Sequence, residues 1–152
     1  MTSATTLNSA LATEHRERLM RTAREVSFEP GTRLFEEGRR ADRLWIVRTG
    51  TIALDLHVPG RRAAVVESLG PGELVGWSWH FPPYVWHMGA EATNPVRAYE
   101  FDAETVRTMC ADDAEFGRAV AVWVGRVIAQ RLHAARIRLL DLYAPYGSGV
   151  SP

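Results

Sequence analysis

Residues 77–87 read Trp-Ser-Trp-His-Phe-Pro-Pro-Tyr-Val-Trp-His and hold three of the chain's five tryptophans and two of its five histidines. Indole faces stack on flat molecules, and each indole carries one N–H donor that needs a partner when buried. Two readings follow. Trp77, Ser78, Trp79, Trp86 and His87 could line a pocket that selects a flat or weakly charged ligand by stacking. Alternatively the rings pack over the open end of a β structure and fill it, with the indole N–H groups bonded to backbone. Both stand on the sequence alone. His80 and His87 lie seven apart with no third ligand nearby and Cys110 distant, a poor metal constellation, so no metal site is assigned. Cys110 shares an apolar helical face with Val106 and Met109 and reads as a small buried hydrophobe. No Gly-x-Ser-x-Gly elbow, phosphate-binding P-loop or carboxylate pair in a recognisable context occurs, so a non-enzymatic protein is expected.

A chain of 152 residues is the size of one domain and can bury roughly 70% of its unfolded surface. Its 18 acidic residues balance 18 cationic ones, all arginine. Zero net charge argues against sequence-independent nucleic-acid binding, which needs a basic excess. The single cysteine suits a reducing compartment. No apolar run approaches the roughly 18 residues of a membrane span. A cytoplasmic protein that makes no membrane contact is expected.

Residues 7–24 read as an N-terminal helix carrying Leu7, Leu11, Leu19 and Met20. From Val26 the period changes. Phe28-Glu29-Pro30-Gly31 and Glu37-Gly38 signal turns, and Leu44-Trp45-Ile46-Val47 is a short apolar run. Ile52, Leu54, Leu56 and Val58 alternate with Thr51, Ala53, Asp55 and His57, the period of a half-buried strand. Pro59-Gly60 turns the chain into a second strand over 61–69, and Pro71-Gly72 ends it. Tyr99 and Phe101 share a face of a later strand. From Asp102 the pattern is helical, with Asp102 as an N-cap and Asp112-Asp113-Ala114-Glu115 opening a longer helix. Along it Val124, Ile128, Leu132, Ala135, Leu139 and Leu142 recur at spacings of three and four. Pro145, Gly147 and Gly149 are expected to end it.

The predicted fold class is therefore α+β, an antiparallel β-roll of jelly-roll-like double-sheet form. An N-terminal helix precedes it and a C-terminal helix pair with one long helix follows. The expected divisions are 1–24 for tail and helix, 25–102 for the roll, 103–143 for the C-terminal helices and 144–152 for a loose tail.

Phe28-x-Pro30-Gly31, Leu34-Phe35-x-Glu37-Gly38, Leu44-Trp45-Ile46-Val47-x-x-Gly50 and Leu69-Gly70-Pro71-Gly72-x-x-x-Gly76 occur in that order. The series resembles the cyclic nucleotide-binding domain of Crp/Fnr-type regulators and kinase regulatory subunits, over about three-quarters of the chain. The resemblance implies that the segment after Gly76 cradles a cyclic phosphate, with a Glu on the ribose hydroxyl and an Arg on the phosphate. Here Trp77 stands at the Glu position, and the Arg position falls on Val85, Trp86 or His87. The long helix offers His133-Ala134-Ala135-Arg136 where the family often presents small hydroxyl residues. Burying a phosphate monoanion without its guanidinium costs several kcal/mol, and about 3 kcal/mol is already a hundredfold in affinity.

The expected function is a non-catalytic, small-molecule-sensing regulatory protein with a degenerate phosphate-binding segment. Its candidate site comprises Gly76, Trp77, Ser78, Trp79, Trp86, His87 and Arg136. No cofactor is specified. The ligand implied is a cyclic nucleotide or another flat small molecule. The alternative is a ligand-free dimerisation or protein-interaction module with an aromatic-filled pocket. The stripe over 124–142 matches the family's dimer helix, so a homodimer is expected, with a protein partner as a further route of output. Because the chain stops within a few residues of that helix, with no helix-turn-helix after it, no direct DNA binding is expected.

Overall fold

The computed structural model describes the backbone of residues 5–147 and the side chains as far as Tyr143. It is an α+β structure with two four-stranded antiparallel sheets, a short helical pair before them and two helices after.

The N-terminal stretch does not form one helix. It breaks into α1 (Leu7–Ala10) and α2 (Thr13–Met20), with Leu11 and Ala12 extended between them. Its few apolar residues form no continuous stripe, and packing decides instead: Leu7, Leu11 and Leu19 are each buried. Arg16 holds the break by donating to the Asn8 and Leu11 carbonyls at 3.3 and 3.2 Å. The chain leaves the helix earlier than expected, and Arg24–Phe28 is already strand β1.

The strands that follow are β2 (Arg33–Phe35), β3 (Arg43–Thr49), β4 (Ile52–Leu56), β5 (Ala64–Leu69), β6 (Leu74–Val75), β7 (Gly89–Ala92) and β8 (Val96–Asp102). One sheet runs β1-β8-β3-β6 and the other β2-β7-β4-β5. Glycines at the turns marked in the sequence take positive φ, including Gly31, Gly38, Gly60 and Gly72. The hairpin expected around Pro59-Gly60 is the β4–β5 pair. Its solvent face differs from simple alternation, because Ala53 and Asp55 are buried along with Ile52 and Leu54. Asp55 is admitted by Arg33, which forms a fork on it at 2.5 and 3.0 Å. Gly89 makes room for that fork, since a Cβ there would collide with both the guanidinium and the carboxylate.

Helix α3 (Ala103–Asp112) starts at Asp102, whose carboxylate accepts from the Thr105 N–H at 3.0 Å, so the expected cap is present. Helix α4 (Ala114–Gly147) starts at Asp113, which accepts from Glu115 and Phe116. It runs through Pro145, further than the sequence pattern predicts; residues 148–152 of the expected tail lie outside the described residues. Phe116, Val120, Trp123, Val124 and Val127 of α4 complete the core. No helix among the described residues is long and apolar enough to cross a membrane.

The first sheet contains one buried carboxylate. Glu100 on β8 pairs in register with Arg24 of β1 and Trp45 of β3. It accepts from the Trp45 indole at 2.9 Å and Arg43 at 2.7 Å, and also from Arg24. Burial alone would raise this carboxyl, but the bonds from Arg24 and Trp45 and the charge of Arg43 hold it below the ordinary glutamate range. A group depressed in the folded state adds stability above its unfolded value of about 4.3, and that contribution is lost as pH falls through the folded value. Glu100→Gln is therefore expected to lower stability by about 2 kcal/mol at pH 7. It should also flatten the acid limb of stability against pH below about pH 5. Chemical denaturation across that range checks it, and parallel curves for the two proteins would contradict it.

Candidate functional site

Strand β6 delivers the chain, fully buried at Leu74 and Val75, to Gly76, whose φ of +81° turns it sharply. Trp77 follows, then one 3-10 turn, Ser78–His80, ending at Phe81. Ser78 and Trp79 are buried, and the Trp79 indole donates to the Gly76 carbonyl at 3.2 Å. Arg107 of α3 pins the turn from below, donating to the Trp79 carbonyl at 2.7 Å while its guanidinium lies 4.0 Å from the Tyr84 ring centroid.

After Pro82-Pro83, joined by a cis peptide, the strand-like piece 84–86 is zipped onto the loop 38–41. The Ala41 N–H donates to Tyr84 at 2.7 Å, Gly38 donates to Trp86 at 2.9 Å, and the Trp86 N–H donates to Arg39 at 2.9 Å. That backbone ladder fixes where the Trp86 ring goes. It lies flat on Phe35, with centroids 3.7 Å apart and planes 9° from parallel. Trp45 closes the cluster at 5.8 Å from Phe35 and 6.3 Å from Trp86.

Gly76 lies against the edge of this stack, close to both rings. A Cβ added to Gly76 would sit 3.0 Å from Cη2 of that indole and 3.3 Å from Phe35 Cζ, so glycine is required by space as well as by φ. The cavity bounded by Phe35, Leu54, Gly76, Trp77, Ser78, Trp86, His87 and Met88 measures about 10 Å³. That volume is at the threshold for one water molecule, whereas small-molecule pockets enclose about 300 Å³ or more. Larger crevices exist, about 560 Å³ between α2 and β3 and about 810 Å³ beside Pro30 and Pro95, and neither shares a lining residue with this one.

Gly76, Trp77, Ser78, Trp86 and His87 thus converge on one small cavity, and Trp79 turns away into the core. Arg136 does not join them; it is exposed on α4. Of the three residues at the family's arginine position, Val85 is half-buried, Trp86 buried and His87 exposed. His87 lies 6.4 Å from the Trp77 ring. His80 is half-buried, and burial, reinforced by Arg107, lowers its basicity and keeps the imidazole neutral near pH 7. Among the described residues no group of three metal-ligating side chains forms. Burial pushes the Cys110 thiol up to about 11, so it is an unreactive half-buried side chain.

One cation was missed in the sequence. Arg131 of α4 is half-buried beside β6 and donates through Nη2 to the Leu74 carbonyl, while its enclosed Nη1 has no partner. Burial lowers its basicity, opposed by the charges of Glu67 and Glu73. The available signal was its place on the helix. Val120, Val124, Val127, Arg131, Ala134 and Arg138 follow one another at three and four, one step away from the apolar stripe. Of that stripe, Val124 is spent on the chain's own core and Ile128 is half-buried, whereas Leu132, Ala135, Leu139 and Leu142 are exposed.

Residues 25–113 match the cyclic nucleotide-binding domain family. The CRP-like cAMP-activated global transcriptional regulator of Mycobacterium tuberculosis is 30% identical over 117 residues, 77% of this chain and 50% of that protein. The chain spans about half the length of the curated relatives it matches. A protein described as cyclic nucleotide-binding from Geobacter metallireducens superposes with a TM-score of 0.71 at 26% identity, covering 84% of this chain and 92% of its own. The catabolite activator protein of Thermus thermophilus gives 0.71 at 23% identity, covering 90% and 62%, and at that identity it speaks for the fold alone.

These relatives overturn the expectation of no direct DNA binding. That expectation rested on where the chain stops, yet the relatives are transcriptional regulators of which this chain matches one half, so its end carries no argument. A family match over more than half the chain, on a roll that turns at a positive-φ glycine into the aromatic segment, places the protein: it belongs to the cyclic nucleotide-binding domain family, of the Crp/Fnr regulator type.

Proposed function

We propose that this chain is a non-catalytic regulatory domain whose nucleotide-type pocket is held closed by its own Trp86. The reading rests on one observation: the space beside Gly76 measures about 10 Å³ because the indole is stacked on Phe35. The absence of a guanidinium at positions 85–87 supports it, since a cyclic phosphate seated there would lack its counter-charge. A flat ligand could enter only by expelling Trp86 from Phe35, so the regulatory state set by an empty pocket is the resting state. From the relatives we carry over the role of a regulatory domain, with transcriptional control as the process it serves. Self-association belongs to the same reading. Leu132, Leu139 and Leu142, at 51%, 54% and 65% exposure, form the free part of the seam on α4.

Titration calorimetry with cyclic AMP and cyclic GMP tests the pocket. Saturable binding is expected only above roughly 100 µM, the consequence of losing about 3 kcal/mol or more. A low-micromolar constant for the wild-type chain would contradict the reading. Trp86→Ala should destabilise the fold by about 3–5 kcal/mol through the cavity it leaves; a loss below about 1 kcal/mol would mean that the indole fills nothing.

Leu132→Glu tests the seam by sedimentation velocity. Burying a carboxylate in an apolar interface is expected to shift the protein to monomer. A wild-type-like dimer would remove this face from the interface, as would a wild-type monomer at all accessible concentrations.

A further inference from the structure

Beyond Val127 the face of α4 that meets the roll changes character. Its next positions are Arg131, Ala134 and Arg138, with Ala134 half-buried between the two arginines. Both arginines reach backbone carbonyls of the roll rather than carboxylates: Arg131 bonds Leu74 of β6, and Arg138 bonds Val65 of β5 at 2.8 Å. They stand seven residues apart, two helical turns on one face. Glu67, half-buried on β5, and Glu73, just before β6, face them electrostatically without forming an ion pair. The enclosed Nη1 of Arg131 stays unpartnered, so the docked arrangement is incompletely satisfied. Residues of α4 on either side of this face are exposed, among them Gln130, Leu132, His133 and Ile137. No apolar side chain past Ile128 is buried in the roll among the described residues.

We propose that Arg131 and Arg138 are positioning residues that form a two-point clamp. The clamp sets the attitude of the C-terminal half of α4 on β5 and β6, and this half can be released while the roll stays folded. The physical reason is the kind of attachment. Phe116, Val120, Trp123 and Val127 fasten the first half of α4 by burial, which cannot be undone without opening the core. The second half is fastened by two hydrogen-bonded guanidiniums, whose loss exposes little apolar surface. Because Arg131 anchors on Leu74, two residues before Gly76, the clamp ties the long helix to the strand that carries the pocket turn. The inference does not depend on Trp86 being an obstacle to ligand, and it stands or falls separately.

Hydrogen exchange read by mass spectrometry on the whole chain tests it, at two protein concentrations about tenfold apart so that self-association is separated from release. Arg131→Gln combined with Arg138→Gln is expected to speed exchange across 129–143 by about tenfold, with peptides from β3 and β8 unchanged. Arg138→Gln alone, an exposed change that leaves the core intact, should give a rise of about threefold confined to the same peptides. Unchanged exchange across 129–143 would overturn the clamp. A rise spread evenly through β3 and β8 would overturn it too, by making Arg131 part of the global fold.

Discussion

The stack of Trp86 on Phe35 depends on a residue that contributes no side chain. Gly76 must lack a Cβ for the indole to lie where it does, and its positive φ must turn β6 into the 3-10 segment. The ladder between 84–86 and 38–41 then fixes the indole's height over the roll. Each part is local, yet together they decide what the domain can bind. On the proposed reading, this chain fills the pocket from its own sequence, with no guanidinium at positions 85–87. Aromatic area buried against aromatic area is favourable without a ligand. Opening the site would require giving up that contact before any new one forms.

The same trade between apolar and polar fastening recurs along α4. Its first half is locked by Phe116, Trp123 and Val127 inside the core. Its second half turns exposed leucines outward and meets the roll through hydrogen bonds from Arg131 and Arg138. A helix built this way has a rigid root and an arm whose position is set by few bonds. The buried Asp55 is admitted by a fork from Arg33, and the buried Glu100 by single bonds from Arg24, Arg43 and the Trp45 indole, so the roll tolerates a buried charge where donors converge on it.

Much of the fold was legible in the sequence because it is written in turn chemistry. Gly31, Gly38, Gly60 and Gly72 mark positive-φ corners, and the caps at Asp102 and Asp113 mark helix starts. What misled was pattern without packing. Leu7, Leu11, Leu19 and Met20 read as one helix but break at Leu11, and the alternation at Ala53 and Asp55 put a buried acid on the solvent side. At the site, residues 77–87 stood out by aromatic density, but density alone could not choose between a lined pocket and a filled one. The choice depends on Phe35, distant in sequence, receiving Trp86. Arg131 escaped notice because an arginine on a helix normally reads as solvated, and only the three-and-four spacing from Val124 and Val127 places it inward.

The most direct measurement is the ¹⁹F spectrum of protein labelled with 5-fluorotryptophan, with the Trp86 resonance assigned by Trp86→Phe. A self-filled pocket predicts a single Trp86 resonance with little solvent isotope shift, unmoved when cyclic AMP is added to about 10 µM. A solvent-exposed Trp86 resonance, or one that splits or shifts at that concentration, would contradict it and return the site to an open receptor.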